Sequence, residues 1–125
     1  MAWSENQMTI SLTAAADLSS SQYRFVTVDG DGKAALTADD GNPIGILQND
    51  PTAGQAATVC ISGVSKLYIG TTGALDSGSQ VSSQASGAGK IADSGSVRAA
   101  IALEDSTANG DIISVVFTGA NSTTV

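Results

Sequence analysis

The stretch Leu47–Gly63, LQNDPTAGQAATVCISG, lies without a gap over Leu103–Gly119, LEDSTANGDIISVVFTG. Leu47 maps to Leu103, Gly54 to Gly110, Val59 to Val115 and Gly63 to Gly119, each pair 56 positions apart. Upstream the match shifts by one residue. Leu18 then pairs with Leu75, Gly30 with Gly87, Gly32 with Gly89 and Lys33 with Lys90, each 57 apart. The chain therefore reads as two copies of one unit of about 45 residues, Leu18–Gly63 and Leu75–Gly119. A link, Val64–Ala74, joins them. Such a repeat is a strong constraint, because any fold available to one copy must also suit the other.

Each copy alternates apolar and polar residues over short runs, the period of a half-buried strand. The runs are Met8–Leu12, Tyr23–Val28, Lys33–Thr37, Pro43–Gln48, Ala57–Ser62 and Lys66–Gly70, then Lys90–Asp93, Ser96–Leu103 and Asp111–Gly119. Gly and Asp/Asn clusters separate them, and both prolines fall at run edges. No segment sustains a 3.6-residue period. The expectation is an all-β chain, a compact β-barrel or sandwich of two similar strand–turn–strand halves. An extended N-terminal arm (residues 1–16) precedes a single β domain (17–119), and a polar tail (120–125) follows it.

The repeat also decides between readings of DGDGK, Asp29–Lys33, which could be a calcium loop, a phosphate loop or a turn. Its counterpart in the 57-residue register is SGAGK, in which Ser86 and Ala88 replace both carboxylates. What the copies share is glycine, so the segment reads as a hairpin turn. An EF-type loop from Asp29 would put Lys33 at a ligand position and Ala34 where glycine must turn the chain. Asp29, Asp31, Asp39 and Asp40 could gather only a weak surface ion. A phosphate loop fails too, since Lys33 and Lys90 are followed by Ala34 and Ile91 instead of Ser or Thr.

Catalytic chemistry finds little to work with. The chain has no histidine, which removes Ser–His–Asp and Cys–His arrangements. Cys60, the single cysteine, lies in the apolar run TVCIS and reads as a small buried hydrophobe. Glu104 and Asp105 are adjacent, but they fall in the loop corresponding to Gln48–Asn49, and neighbours in extended chain face opposite ways. No enzyme activity, cofactor or metal is expected. A net charge of −7 repels phosphate backbones and anionic membranes alike, and no apolar run is long enough to span a bilayer. The N-terminus lacks a signal-peptide pattern, so synthesis in a cytoplasm is expected. Charged residues make up only 14 % of the chain, about half the usual share, which suits a surface partly covered by partners.

The arm MAWSENQMTIS carries the chain's only tryptophan. It can fold back as an edge strand of its own sheet. Alternatively it lies on a neighbouring subunit, with Trp3 as anchor and Met8, Ile10 and Leu12 adding to a partner's sheet edge. Trp3, Met8, Ile10 and Leu12 are the candidate partner-contact residues.

The order Gly30-x-Gly32-Lys33, PIGILQND, GQAATVCISGV, KLYIG, GAGK and AAIALEDSTANGDIISVVF resembles the small capsid cement, or decoration, proteins of tailed bacteriophages. The resemblance covers about Met8–Phe117 and carries no catalytic residue. It implies a virion protein on the outer surface of the phage head, made in the host cytoplasm. Such proteins often act as homotrimers that bridge major capsid protein subunits. A carbohydrate- or cell-surface-binding β-module of a phage fibre is the alternative.

Overall fold

The computed structural model describes residues 2–70, 75–92 and 96–122. Met1 of the arm, residues 71–74 of the link, Asp93 of the seventh run and the last three residues of the tail lie outside them. Among the described residues nine strands form one antiparallel sheet curled into a half-barrel, with a single 3-10 turn at Ala85–Gly87. The strands are β1 (Glu5–Thr13), β2 (Phe25–Val28), β3 (Ala34–Leu36), β4 (Gly45–Leu47) and β5 (Ala56–Tyr68), then β6 (Gln80–Ser83), β7 (Gly89–Ile91), β8 (Val97–Ala102) and β9 (Ile112–Ser122). The sheet runs β3-β2-β4-β5-β9-β8-β6-β7, with β1 paired to β5 off that path. The expected all-β architecture of two similar halves is present, as one curled sheet and not two stacked ones.

The register shows how the halves correspond. Phe25 pairs with Ile46 and Val26 with Gly45, while Gln80 pairs with Ile101 and Val81 with Ala100. Leu47 pairs with Val59 as Ala102 does with Val115. Leu12 pairs with Ala57 as Leu67 does with Ile113. The spacing is thus 55 residues before the loop that follows β4 and 56 after it. In the hairpin this differs by two from the sequence match. Gly32 (φ 76°) donates its N–H to the Asp29 carbonyl, and it is Gly87 (φ 75°) that donates to the Gln84 carbonyl. Positive φ, which only glycine adopts cheaply, fixes these equivalences better than matching letters does. Leu18 and Leu75 keep the expected match, bonded to the Pro51 and Ser106 carbonyls.

The correspondence reaches further towards the N-terminus than the arm boundary suggests. β1 stands to the first part of β5 as the second part of β5 stands to β9: Thr13↔Ala56 repeats as Tyr68↔Ile112. The parallel bridge Ala14↔Ala34 likewise repeats as Ile69↔Gly89. Met8–Thr13 is therefore the opening strand of the first unit. The start of the expected link, Val64–Tyr68, is the opening strand of the second, continuous with the run before it.

Each unit has its own apolar core. Ala14, Leu18, Val26, Leu47, Ala57 and Val59 gather in the first, and Ile69, Leu75, Val81, Ala102, Ile113 and Val115 in the second. Phe25 and Ile46 leave the first unit to join the second core, where the Phe25 and Phe117 rings lie 6.3 Å apart. Burying two such side chains is worth roughly 3–6 kcal/mol and ties the units into one body.

Candidate functional site

The polar clusters singled out in the sequence are occupied with holding the backbone. One Asp29 carboxylate oxygen accepts the N–H groups of Asp31 and Lys33, both at 2.9 Å. Those bonds, that from Lys33 foremost, hold its carboxyl below the usual range. Asp39 and Asp40 face Lys90 Nζ at 2.9 and 3.0 Å. Burial pulls the Lys90 pKa down, but the hydrogen bonds to Asp39 and Asp40 outweigh it and the ammonium form is favoured. The four aspartates are thus divided between a turn and an ion pair. Among the described residues no group of three or more metal-ligating acidic, Cys or His side chains forms.

Glu104 and Asp105 are likewise separated by task. Glu104 Oε1 accepts the Ser114 N–H at 2.8 Å, and Asp105 Oδ1 accepts the Ser77 N–H at 2.9 Å. The counterpart of Glu104 is Asn49, whose Oδ1 accepts the Thr58 N–H at 2.9 Å, one place along from the sequence match. Cys60 is buried, its thiol donates to the Ser62 carbonyl, and burial raises its pKa. The thiolate form is disfavoured there.

The arm residues lie along the chain's own sheet. β1 follows β5 from Ala56 to Ser62 and then kinks at Asn6 (φ 50°), crossing Gly63. This brings Trp3 to β9, where its backbone N–H donates to Ser114 Oγ at 2.5 Å and Ser114 Oγ–H returns a bond to the Trp3 carbonyl at 2.9 Å. The indole N–H of Trp3 donates to Glu5 and its ring stays partly exposed. Among the described residues Met8 is the most open large apolar side chain, 62 % exposed, and Ile10 is 38 % exposed. Leu12 packs against the first core.

Sequence reasoning missed a second apolar surface on the far unit. Ile101 and Leu103, each 37 % exposed, sit on β8 and just beyond it. Beside them a cavity of about 220 Å³ is lined by Gln80, Arg98, Ala100, Ile101 and Thr118. These positions look unremarkable in the sequence because Ile101 corresponds to the core residue Ile46, and the sequence match sets Leu103 over the core residue Leu47. The surface sets the apolar Ile101 and Leu103 beside the polar Gln80, Arg98 and Thr118, an arrangement suited to contact.

A family model described as phage cement protein matches residues 3–117. The chain belongs to this family. The match spans β1 to β9, both units included, and gives the protein a structural role in a phage capsid. No curated protein matches the chain. Among solved structures it is similar to the head fiber gp8.5 N base of bacteriophage phi29, with a TM-score of 0.67 and 14 % identity. That likeness covers 92 % of this chain and 97 % of the other, and it shows a shared fold.

Proposed function

We propose that this cement-family protein decorates the outer surface of the phage head and stabilises it by bridging major capsid protein subunits, as a homotrimer. The observation that carries the reading is the family match over residues 3–117. The surface supports it: Met8 and Ile10 on β1 and Trp3 ahead of it present apolar area, while the polar clusters serve the fold. A bridging protein needs shared area, about 1,200–2,000 Å² per stable contact, and no reactive group. Many copies on one lattice add avidity. A ligand that binds only the assembled shell shifts the shell's equilibrium away from disruption.

Co-sedimentation with preformed shells tests this. Deleting residues 1–16 would remove β1, so the informative variants are Trp3→Ser and Met8→Ser. Binding by the full chain and weaker binding by these variants is the expected result. Folded variants that bind as well as the full chain remove the contact role of Trp3 and Met8.

The likeness to a head fiber base favours a second reading, a fibre module that contacts carbohydrate or a cell surface. Sugar stacking needs open aromatic faces, and Trp3 keeps one, but Arg24 covers Tyr68 at 4.2 Å and Lys66 lies over Tyr23 at 5.5 Å. Phe25 and Phe117 are buried. A glycan array separates the readings.

A further inference from the structure

The two units are built alike yet end differently, and the difference exposes a surface. Within the chain, the second unit covers Phe25 and Ile46 on one face of the first, and these and Cys60 are all 0 % exposed. Their counterparts Gln80, Ile101 and Val116 occupy the same register on the second unit, and none of them is buried. The opposite side of the first unit shows the converse. Leu67, Ala99 and Phe117 are buried in the second core, where Phe25 and Ile46 cap them. Their counterparts Leu12, Ile44 and Ile61 are only partly buried. One end of the chain thus has a face lacking a cap, and the other has a cap lacking a face.

We propose that these ends join, the open face of the second unit in one copy receiving the first unit of another copy, as the two units join within the chain. The exchange of residues at the contact supports a second copy as the occupant. Inside the chain Gln48 Nε2 donates to the buried Ser65 Oγ at 2.8 Å. The position corresponding to Gln48 is Leu103, and that corresponding to Ser65 is Ile10. A polar pair inside the chain becomes an apolar pair between chains, both members now exposed. Neither change helps a lone molecule, whereas together they fit each other. After Gly63 the first unit runs on as the opening strand of the second, but after Gly119 the strand stays with β8, as the pairing Arg98↔Asn121 records.

Such a contact is heterologous, so repeating it either closes a ring or grows a filament. The proposal rests on the trimer of the preceding reading for its closure, but not on capsid binding. It predicts that Ile10→Cys and Leu103→Cys variants, mixed and treated with a short bis-maleimide, give cross-linked dimers. Neither variant alone cross-links, and Cys60, buried with a raised thiol pKa, stays unlabelled. The double variant gives covalent closed oligomers. Leu103→Asp, checked for folding by circular dichroism, lowers the mass measured by light scattering to that of one chain. A single-chain mass for the unmodified protein at about 100 μM, or cross-linking of either single variant alone, overturns the proposal. Shell binding by a protein of single-chain mass would separate its failure from that of the capsid reading.

Discussion

The backbone carbonyl of Asn6 lies against Gly63, in the space that a Cβ at that glycine would occupy. This contact lets β1 leave the edge of β5 and carry Trp3 across to Ser114. Gly63 also holds φ +106°, whereas Gly119, its counterpart, holds φ +91° with no atom within 4 Å of the place a Cβ would take. Gly63→Ala should therefore cost about 2–4 kcal/mol, from left-handed strain plus a backbone collision. Gly119→Ala should cost only about 1 kcal/mol, from strain alone. Urea unfolding midpoints of the two variants compare them, and equal costs would mean that the crossing does not occur.

Phe25 should be far more costly to truncate than the residue at the same register in the second unit. It is fully buried between the units and faces Phe117, so Phe25→Ala should lose about 3–5 kcal/mol. Its counterpart Gln80 is exposed, and Gln80→Ala should change stability by less than about 0.5 kcal/mol. Chemical denaturation of both variants checks the asymmetry between units.

Much of the fold was legible because alternation and glycine position survive divergence. Gly54, Val59 and Gly63 have their counterparts 56 positions on in the structure as in the sequence, whereas Leu47 corresponds to Ala102 and not to Leu103. β6 was not legible. QVSS carries one large apolar residue, since its outward side chain is Gln80 where β2 has Phe25. Matching Gly32 to Gly89 in place of Gly87 then hid the correspondence of β2 with β6. Tyr23 begins an alternating run in the sequence, but it takes φ 66° in the turn before β2, where the second unit has Gly78.

The exposed apolar surface was only half legible. Trp3, Met8 and Ile10 stand out as apolar residues outside the matched repeat, and the structure leaves all three open. Ile101 and Leu103 could not be separated from core by pattern, because AAIAL alternates as a buried strand does. Which face a strand buries depends on its neighbours in space, which the pattern does not carry.

Acid should weaken the fold through its turn carboxylates. Asp29 and Asp111 are held below the ordinary carboxylate pKa, the first chiefly by the Lys33 N–H and the second chiefly by the Thr107 N–H. Their stabilisation is present above the unfolded value, about 4, and is lost as pH falls through the lower folded values. Lys90, raised, acts at the other end: its contribution holds below about 10.4 and is lost as pH rises through the folded value. Asp111→Ala should therefore remove part of the loss of stability seen between about pH 4 and lower pH, read as thermal midpoints across that range.

The ion pair of Lys90 with Asp39 and Asp40 bridges the two units but lies near the surface, so Lys90→Met should change stability by no more than about 1 kcal/mol. Added salt should shrink that difference. A loss of several kcal/mol in denaturant titration would mean that the pair is far less screened than its exposure indicates.

Heating bare and decorated phage shells side by side tests the capsid role most directly. Shells incubated with a saturating amount of the protein should retain it on sedimentation and should release their contents at a higher temperature than bare shells. Shells that sediment without the protein, or that carry it and break at the same temperature as bare ones, contradict the role assigned to it.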